Sequence, residues 1–168
     1  DSPRRLLYHS PCHAEVPGVH KAKAAGIYAK ALAEHTGAEV SVSPGCCGES
    51  GMGAMTSPAI YNKLRAQKAA RLTEELADMP ADSPLIVGCP SCKMGISRIF
   101  LGQHIKRRVL HTLEFLAEQL AGPRWSRKFK KLLRAGTIQD GLRIVDMAAL
   151  SSVQLTDAEA REDEDDSQ

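Results

Sequence analysis

At 168 residues the chain is long enough for one domain, or one domain with a tail, and for a core without disulfide staples; it is too short to add a full flavin or nicotinamide domain. Its 43% apolar and 25% charged residues match a soluble fold, its 4% aromatics leave too few stacking platforms for a base-binding nucleic-acid module, and no apolar run is long enough for a membrane-spanning helix or, near the start, a secretory leader. The net charge of +2 conceals a split, because residues 157–168 (DAEAREDEDDSQ) carry −6 and the preceding 156 carry +8.

Residues 4–9 (RRLLYH) read as a short buried strand. Pro17-Gly18 opens a helical stretch that Gly37 closes, as expected of helix ends, with Ala25, Tyr28, Ala29 and Leu32 on one face. Residues 38–43 (AEVSVS) alternate as a strand does, and the loop PGCCGESGMG follows with four glycines in ten residues. Ser57-Pro58 is a cap and first-turn pair for a second helix running to about Ala77. Residues 84–88 (PLIVG) predict a third strand, apolar on both faces as in a parallel sheet. A helix from about Ser91 to Phe100 and a fourth strand at 107–111 come next. Thr112 caps a helix with the face Leu113, Leu116, Ala117 and Leu120. A last helix near 125–135 stacks Trp125, Phe129, Leu132 and Leu133 and ends at Gly136. Residues 137–156 carry no decisive pattern. The acidic segment 157–168 has no apolar periodicity and reads as a disordered tail. Strands alternating with helices predict an α/β fold, a mainly parallel open sheet with helices on both faces. The domain boundaries expected are 1–121 for this layered part, 122–156 for a C-terminal helical extension and 157–168 for the tail. Because the chain opens on Asp1, it reads as a piece of a larger protein.

The five cysteines, Cys12, Cys46, Cys47, Cys89 and Cys92, are spaced C-x33-C-C-x41-C-x2-C. Each group follows a predicted strand, and ligands of open α/β sheets bind beyond the carboxyl ends of the strands. A helix of about 18 residues returns roughly 27 Å, and the strand after it climbs back about 20 Å. The connection from Cys12 to Cys46 therefore closes on the edge where it began, as does that from Cys47 to Cys89. An odd cysteine count argues against a secreted disulfide framework. A dithiol at Cys89-Pro90-Ser91-Cys92 leaves three cysteines unused. Zinc takes four ligands in tight tetrahedral geometry and leaves a fifth thiol over. An iron–sulfur cluster spreads several irons over a few ångströms, so adjacent cysteines can reach two of them. Buried, metal-free cysteines are the remaining alternative.

The run Pro11-Cys12-His13, the triplet Cys46-Cys47-Gly48 and the pair Cys89-x-x-Cys92, in that order, resemble the cysteine-rich "CCG" domain, over residues 4–121. That domain occurs in the cysteine-rich subunit of heterodisulfide reductase, in iron–sulfur subunits of glycolate oxidase, anaerobic glycerol-3-phosphate dehydrogenase and lactate-utilisation enzymes, and at the C-terminus of bacterial FAD-linked oxidases. The resemblance implies that Cys12, Cys46, Cys47, Cys89 and Cys92 hold a [4Fe–4S] cluster of the non-cubane kind. It also implies electron transfer within a flavin-linked oxidoreductase acting on a 2-hydroxyacid such as lactate or glycolate, or on glycerol-3-phosphate. The FAD and the catalysis would lie in the parent enzyme, not in this chain. The partners implied are a flavin-containing dehydrogenase domain or subunit and an acceptor such as a quinone or another iron–sulfur protein. Nucleic acid is not among them. The expected location is the cytoplasm, at the inner face of the membrane where partners bring it there. This chain departs from the family pattern in carrying one such domain rather than two, in lacking ferredoxin-type cysteine runs, and in the length of its x41 gap.

Other residues carry weaker signals. His9 and His13 flank Cys12, and each suits either a metal or sulfur partner or a surface or capping role. His13 is expected to tune a cluster from beyond the ligands. Gly45, Gly48, Gly51 and Gly53 follow G-x-x-G-x-G, not a dinucleotide fingerprint, so Gly48 is expected to let backbone amides approach a cluster or to take a positive φ. Arg124, Arg127, Lys128, Lys130, Lys131 and Arg134 read as the solvated face of the last helix. The rival to the electron-transfer reading is an assembly module whose thiols hold zinc or nothing, and a variant is thiol–disulfide chemistry as in heterodisulfide reductase.

Overall fold

The computed structural model describes residues 4–12, 14, 18–49, 53–139 and 142–156. His13, Pro17, Gly51 and the acidic segment 157–168 lie outside the described residues. The elements run β1 (Arg5–His9), α1 (Lys21–Thr36), β2 (Glu39–Ser43), α2 (Gly53–Thr56), α3 (Pro58–Ala77), β3 (Leu85–Val87), α4 (Pro90–Gly102), β4 (Val109–His111), α5 (Thr112–Ala121), α6 (Trp125–Ala135), β5 (Thr137–Gln139), β6 (Leu142–Ile144) and a 3-10 helix (Met147–Ser152). The chain divides into two compact units between Thr112 and Leu113.

The first unit is the α/β layer that the alternation of strands and helices predicts. Its four strands are all parallel, in the order β2-β1-β3-β4. Right-handed crossovers place α1, which leads from β1 to β2, on one face, and α3 and α4, which step the other way, on the opposite face. The reversal falls between β1 and β3, where a doubly wound sheet opens a crevice for ligands at its carboxyl edge. Strand ends align there: His9 pairs with Ser43 and with Val87, and Val87 pairs with His111.

Side chains alternate across each strand. Leu7, Leu85, Val87 and Val109 join Leu72, Leu76 and Met79 of the α3 side and Ile96, Ile99 and Phe100 of α4 in one core cluster. Leu6, Tyr8 and Ile86 point to the other face, where Ala24, Ala29 and Leu32 of α1 are also buried. The face expected for α1 is thus rotated: Ala24 takes the inward place foreseen for Tyr28, which is 38% exposed. A small residue at 24 lets the helix approach the sheet closely, and the tyrosine suits the margin.

In the second unit α6 has no fully buried residue, and Trp125, Phe129, Leu132 and Leu133 are half-buried, as for a helix docked by one stripe. Strands β5 and β6 pair antiparallel, and the 3-10 helix after them is capped by the Asp146 carboxylate, which accepts from the Ala148 N–H at 2.9 Å. The α5 stripe Leu113, Leu116 and Leu120 is not buried as foreseen. It lines an apolar groove of about 730 Å³ with Trp125, Phe129 and Met147, while Phe115, on the other side of the helix, and Ala121 are buried. Helix α5 is apolar on both sides, and the larger side chain, Phe115, removes more surface from water. Among the described residues no helix is long and apolar enough to cross a membrane.

Candidate metal centre

Three strand ends place three cysteine-bearing loops along one edge of the sheet. Alternation from Leu7 and Leu85 turns His9 and Val87 toward α3 and α4, so His9 occupies the last layer of that core and is 1% exposed. Cys89 sits at the N-cap of α4 in extended conformation, with Pro90 at the first helical position, where a missing N–H costs nothing. Three residues on, Cys92 shares the buried face of the helix with Ile96 and Ile99, the i, i+4, i+7 pattern of an inward stripe.

The Cys46-Cys47 loop splits its two side chains. Cys46 is half-exposed and its sulfur accepts the Gly48 N–H at 3.4 Å. Cys47 is buried, with Sγ 3.5 Å from the Glu49 carbonyl oxygen. The turn is built by close approach. Gly48 has φ +70, and a Cβ there would stand 2.9 Å from the Arg65 Cα. The Arg65 guanidinium donates to the Gly48 carbonyl at 3.1 Å. The Glu49 carboxylate is 6% exposed and pairs with Arg98 at 2.5 Å and Arg65 at 3.8 Å, tying the loop to α4 and α3.

Cys47 and Cys92 meet His9 in the interior. Their sulfurs and a ring nitrogen of His9 all lie within 4.8 Å of one another. On its other side the ring meets backbone, with Nδ1 3.2 Å from the Ser43 carbonyl oxygen. The hydrogen bond between Cys47 and Cys92, helped by His9, outweighs burial and lowers the Cys47 pKa. The Cys92 pKa is raised, first by that same hydrogen bond and then by burial, with a further contribution from the Cys89 thiol. Cys12 is exposed and is not among the three donors grouped in the interior. Its loop nonetheless leans on the β3 loop, because Gly88 has no side chain: a Cβ there would lie 2.8 Å from the Pro11 ring and 2.8 Å from the Tyr8 hydroxyl. All five cysteines are free thiols.

Four further residues hold this edge together without standing out as site residues in the sequence. Lys68 is 2% exposed, donates to the Ser43 hydroxyl and, at 2.9 Å, to the Pro44 carbonyl, and Ser43 in turn donates to Glu75. Its signal is legible, since Leu64, Lys68, Leu72 and Leu76 step by four along α3 and put a lysine on the inward stripe. Gly95, a glycine within a helical pattern, is a signal of the same kind. Glu49 and Arg98 carry none, because their pairing spans 49 positions of sequence. His9 is neither at the surface nor a cap, the bland roles open to it in the sequence; β1 buries it.

Burial lowers the Lys68 pKa from 10.5 to about 8, against the attraction of Glu75. Below pH 8 both folded and unfolded chains hold the proton, and the fold bears the cost of burying it. Between about pH 8 and 10.5 the unfolded chain keeps the proton that the folded one has lost, so stability rises with pH through that window. The full rise is about 3 kcal/mol. Urea unfolding of reduced, metal-free protein at pH 7.5 and 10 is expected to show it in the wild type and not in Lys68→Met. Equal pH dependence in the two proteins would contradict this.

The donor set is two buried thiols and an imidazole, with three more thiols, Cys12, Cys46 and Cys89, on the loops of the same edge. No carboxylate oxygen faces it among the grouped atoms, and soft donors of this kind select thiophilic metals over calcium or magnesium. The family profile of the cysteine-rich domain, CCG, matches residues 6–97, more than half the chain and inclusive of all five cysteines. No curated protein and no solved structure matches the chain.

Proposed function

The chain belongs to the CCG cysteine-rich domain family, and on that premise we propose that it is an iron–sulfur electron-transfer module of a flavin-linked oxidoreductase. The observation that carries the proposal is the convergence of three cysteine loops at one sheet edge, with Cys47 and Cys92 buried together within 4.8 Å of each other. Cys46 and Cys47 diverge from one turn, as ligands to two different irons of one cluster need to do. When bound, the cluster supplies one-electron transfer.

The chain's own groups set the conditions for that transfer. Burial of Cys47 and Cys92 keeps water from their sulfurs. The Gly48 N–H on Cys46 and the buried charge of Lys68 draw electron density from the site, which raises a cluster's potential. In this proposal electrons arrive from an FAD-bearing domain or subunit that oxidises a 2-hydroxyacid or glycerol-3-phosphate. They leave to a quinone or a further iron–sulfur protein, and any membrane association comes through those partners. The resemblance of the motif supports the substrate class and the acceptor.

Protein purified without oxygen is expected to contain iron and acid-labile sulfide in equal amounts, to bleach on reduction and to show a low-temperature EPR signal. One zinc per chain without sulfide would overturn the proposal in favour of an assembly module.

A further inference from the structure

His9 is a buried imidazole between a carbonyl and two thiols. One ring nitrogen, Nδ1, faces the Ser43 carbonyl oxygen at 3.2 Å. A carbonyl only accepts, so this contact requires the proton on Nδ1. That leaves Nε2 as the ring nitrogen available to a metal, and a ring nitrogen of His9 lies within 4.8 Å of the Cys47 and Cys92 sulfurs. A histidine with one nitrogen on a backbone carbonyl and the other presented to soft donors is the arrangement of a metal ligand, in which the carbonyl fixes the tautomer and the ring plane.

Distance allows it. Ligands about 2.0–2.3 Å from one tetrahedral ion stand about 3.7 Å apart. The three donors of His9, Cys47 and Cys92 lie within 4.8 Å of one another, so a contraction of about 1 Å at most seats a metal. The site is also held from behind. The carbonyl that orients His9 belongs to Ser43, whose hydroxyl is fixed by Lys68 and Glu75, and His9 is locked in register between Ser43 and Val87.

We propose that His9 is a ligand of the metal centre, its Nε2 joining Cys47 and Cys92 on the metal, so that the centre has mixed nitrogen and sulfur ligation rather than thiolates alone. This rests on the family's metal chemistry but not on the cluster type, and it goes beyond a five-cysteine set. Histidine in place of thiolate removes a negative charge from the first coordination layer and raises a cluster's potential, so His9 is also the residue that sets the direction of that shift.

Two arms test it on the full chain. In the first, reduced metal-free protein is titrated with Co²⁺. The wild type is expected to show intense sulfur-to-cobalt absorption and ligand-field bands of a four-coordinate site. His9→Asn retains a side chain able to hydrogen-bond a thiolate but offers a poor donor to metal. It is expected to weaken cobalt by at least about 10-fold and to shift the ligand-field bands. In His9→Ala, free imidazole is expected to restore them, and far-UV circular dichroism verifies that the variants fold. In the second arm, protein labelled with ¹⁵N-histidine is reconstituted with iron and sulfide, reduced and measured by pulsed EPR. A hyperfine coupling of directly bound nitrogen is expected, lost in His9→Asn, with the potential of His9→Cys lower than wild type. Absence of any iron cluster in the wild type would remove the electron-transfer proposal and leave the cobalt arm to decide on His9. Cobalt affinity and bands unchanged in His9→Asn, no cobalt binding at all, or a formed cluster without a bound-nitrogen coupling would each overturn the ligand assignment.

Discussion

Cys47→Ser is expected to fold and to hold almost no metal. Cys47 is 3% exposed, is the thiol of the buried pair whose pKa is lowered, and lies within 4.8 Å of both other grouped donors. Serine is nearly isosteric, so the fold survives. Its hydroxyl, however, stays protonated at every pH of interest and is a hard donor that iron–sulfur centres and other thiophilic metals use poorly. Metal affinity is expected to fall by well over about 100-fold, beyond the 10- to 100-fold typical of losing a residue behind the ligands. The exposed Cys12 provides the contrast. As a ligand at the rim it is expected to cost less, so Cys12→Ser keeps part of its metal. Metal and sulfide per chain after anaerobic reconstitution measure both variants. Full loading of Cys47→Ser would remove the metal centre from this edge altogether.

Gly95→Ala is expected to destabilise the protein by about 2–3 kcal/mol, the upper part of the range for overpacking a tight site, and to impair metal binding with it. A methyl group at 95 would stand 2.7 Å from the Glu49 Cβ and 2.9 Å from the Cys47 carbonyl oxygen. Neither neighbour can yield cheaply. Glu49 is tied to Arg98 and Arg65, and the carbonyl is backbone of the turn that aims Cys47. Relief comes only by moving the Cys46-Cys47 loop away from α4, which separates Cys47 from Cys92. Gly26 is the control. It lies within α1 with nothing within 4 Å of an added Cβ, so Gly26→Ala is expected to stabilise by about 0.5–1 kcal/mol, the propensity gain alone. Urea unfolding of the two variants, with cobalt titration of each, separates crowding at the loop from a general intolerance of alanine. A stable, metal-binding Gly95→Ala would show that the loop has slack the structure denies it.

Both predictions turn on contacts between residues far apart in sequence, and this is where legibility divides. The strands and helices of the α/β layer are readable because their signals are local. Pro58 and Pro90 open helices, Gly136 closes one, and Leu85–Val87 is apolar on both faces because parallel strands are covered on both sides. Parallel order follows from that alternation of strand and helix, and with it the convergence of the loops at one edge. Periodicity fails where a helix offers two apolar sides. On α5 the stripe of Leu113, Leu116 and Leu120 is plain, but burial goes to Phe115, a choice that no pattern within the helix encodes.

Sequence alone therefore determined the fold class, the strand order's consequence for the cysteine loops, and the kind of donor they offer, since each depends on residue type and on spacing within one element or one crossover. Only the tertiary structure decided which donors are buried together and in what state. That His9 rather than a rim residue meets Cys47 and Cys92, and that Lys68 and the Arg65–Glu49–Arg98 group stand behind them, depends on the register of β1 against β2 and β3 and on the seating of α3 and α4. Burial and proton sharing are properties of the packed whole: the Cys47 pKa is lowered because a thiol of α4 hydrogen-bonds to it in a buried place, and no window of sequence contains the whole site.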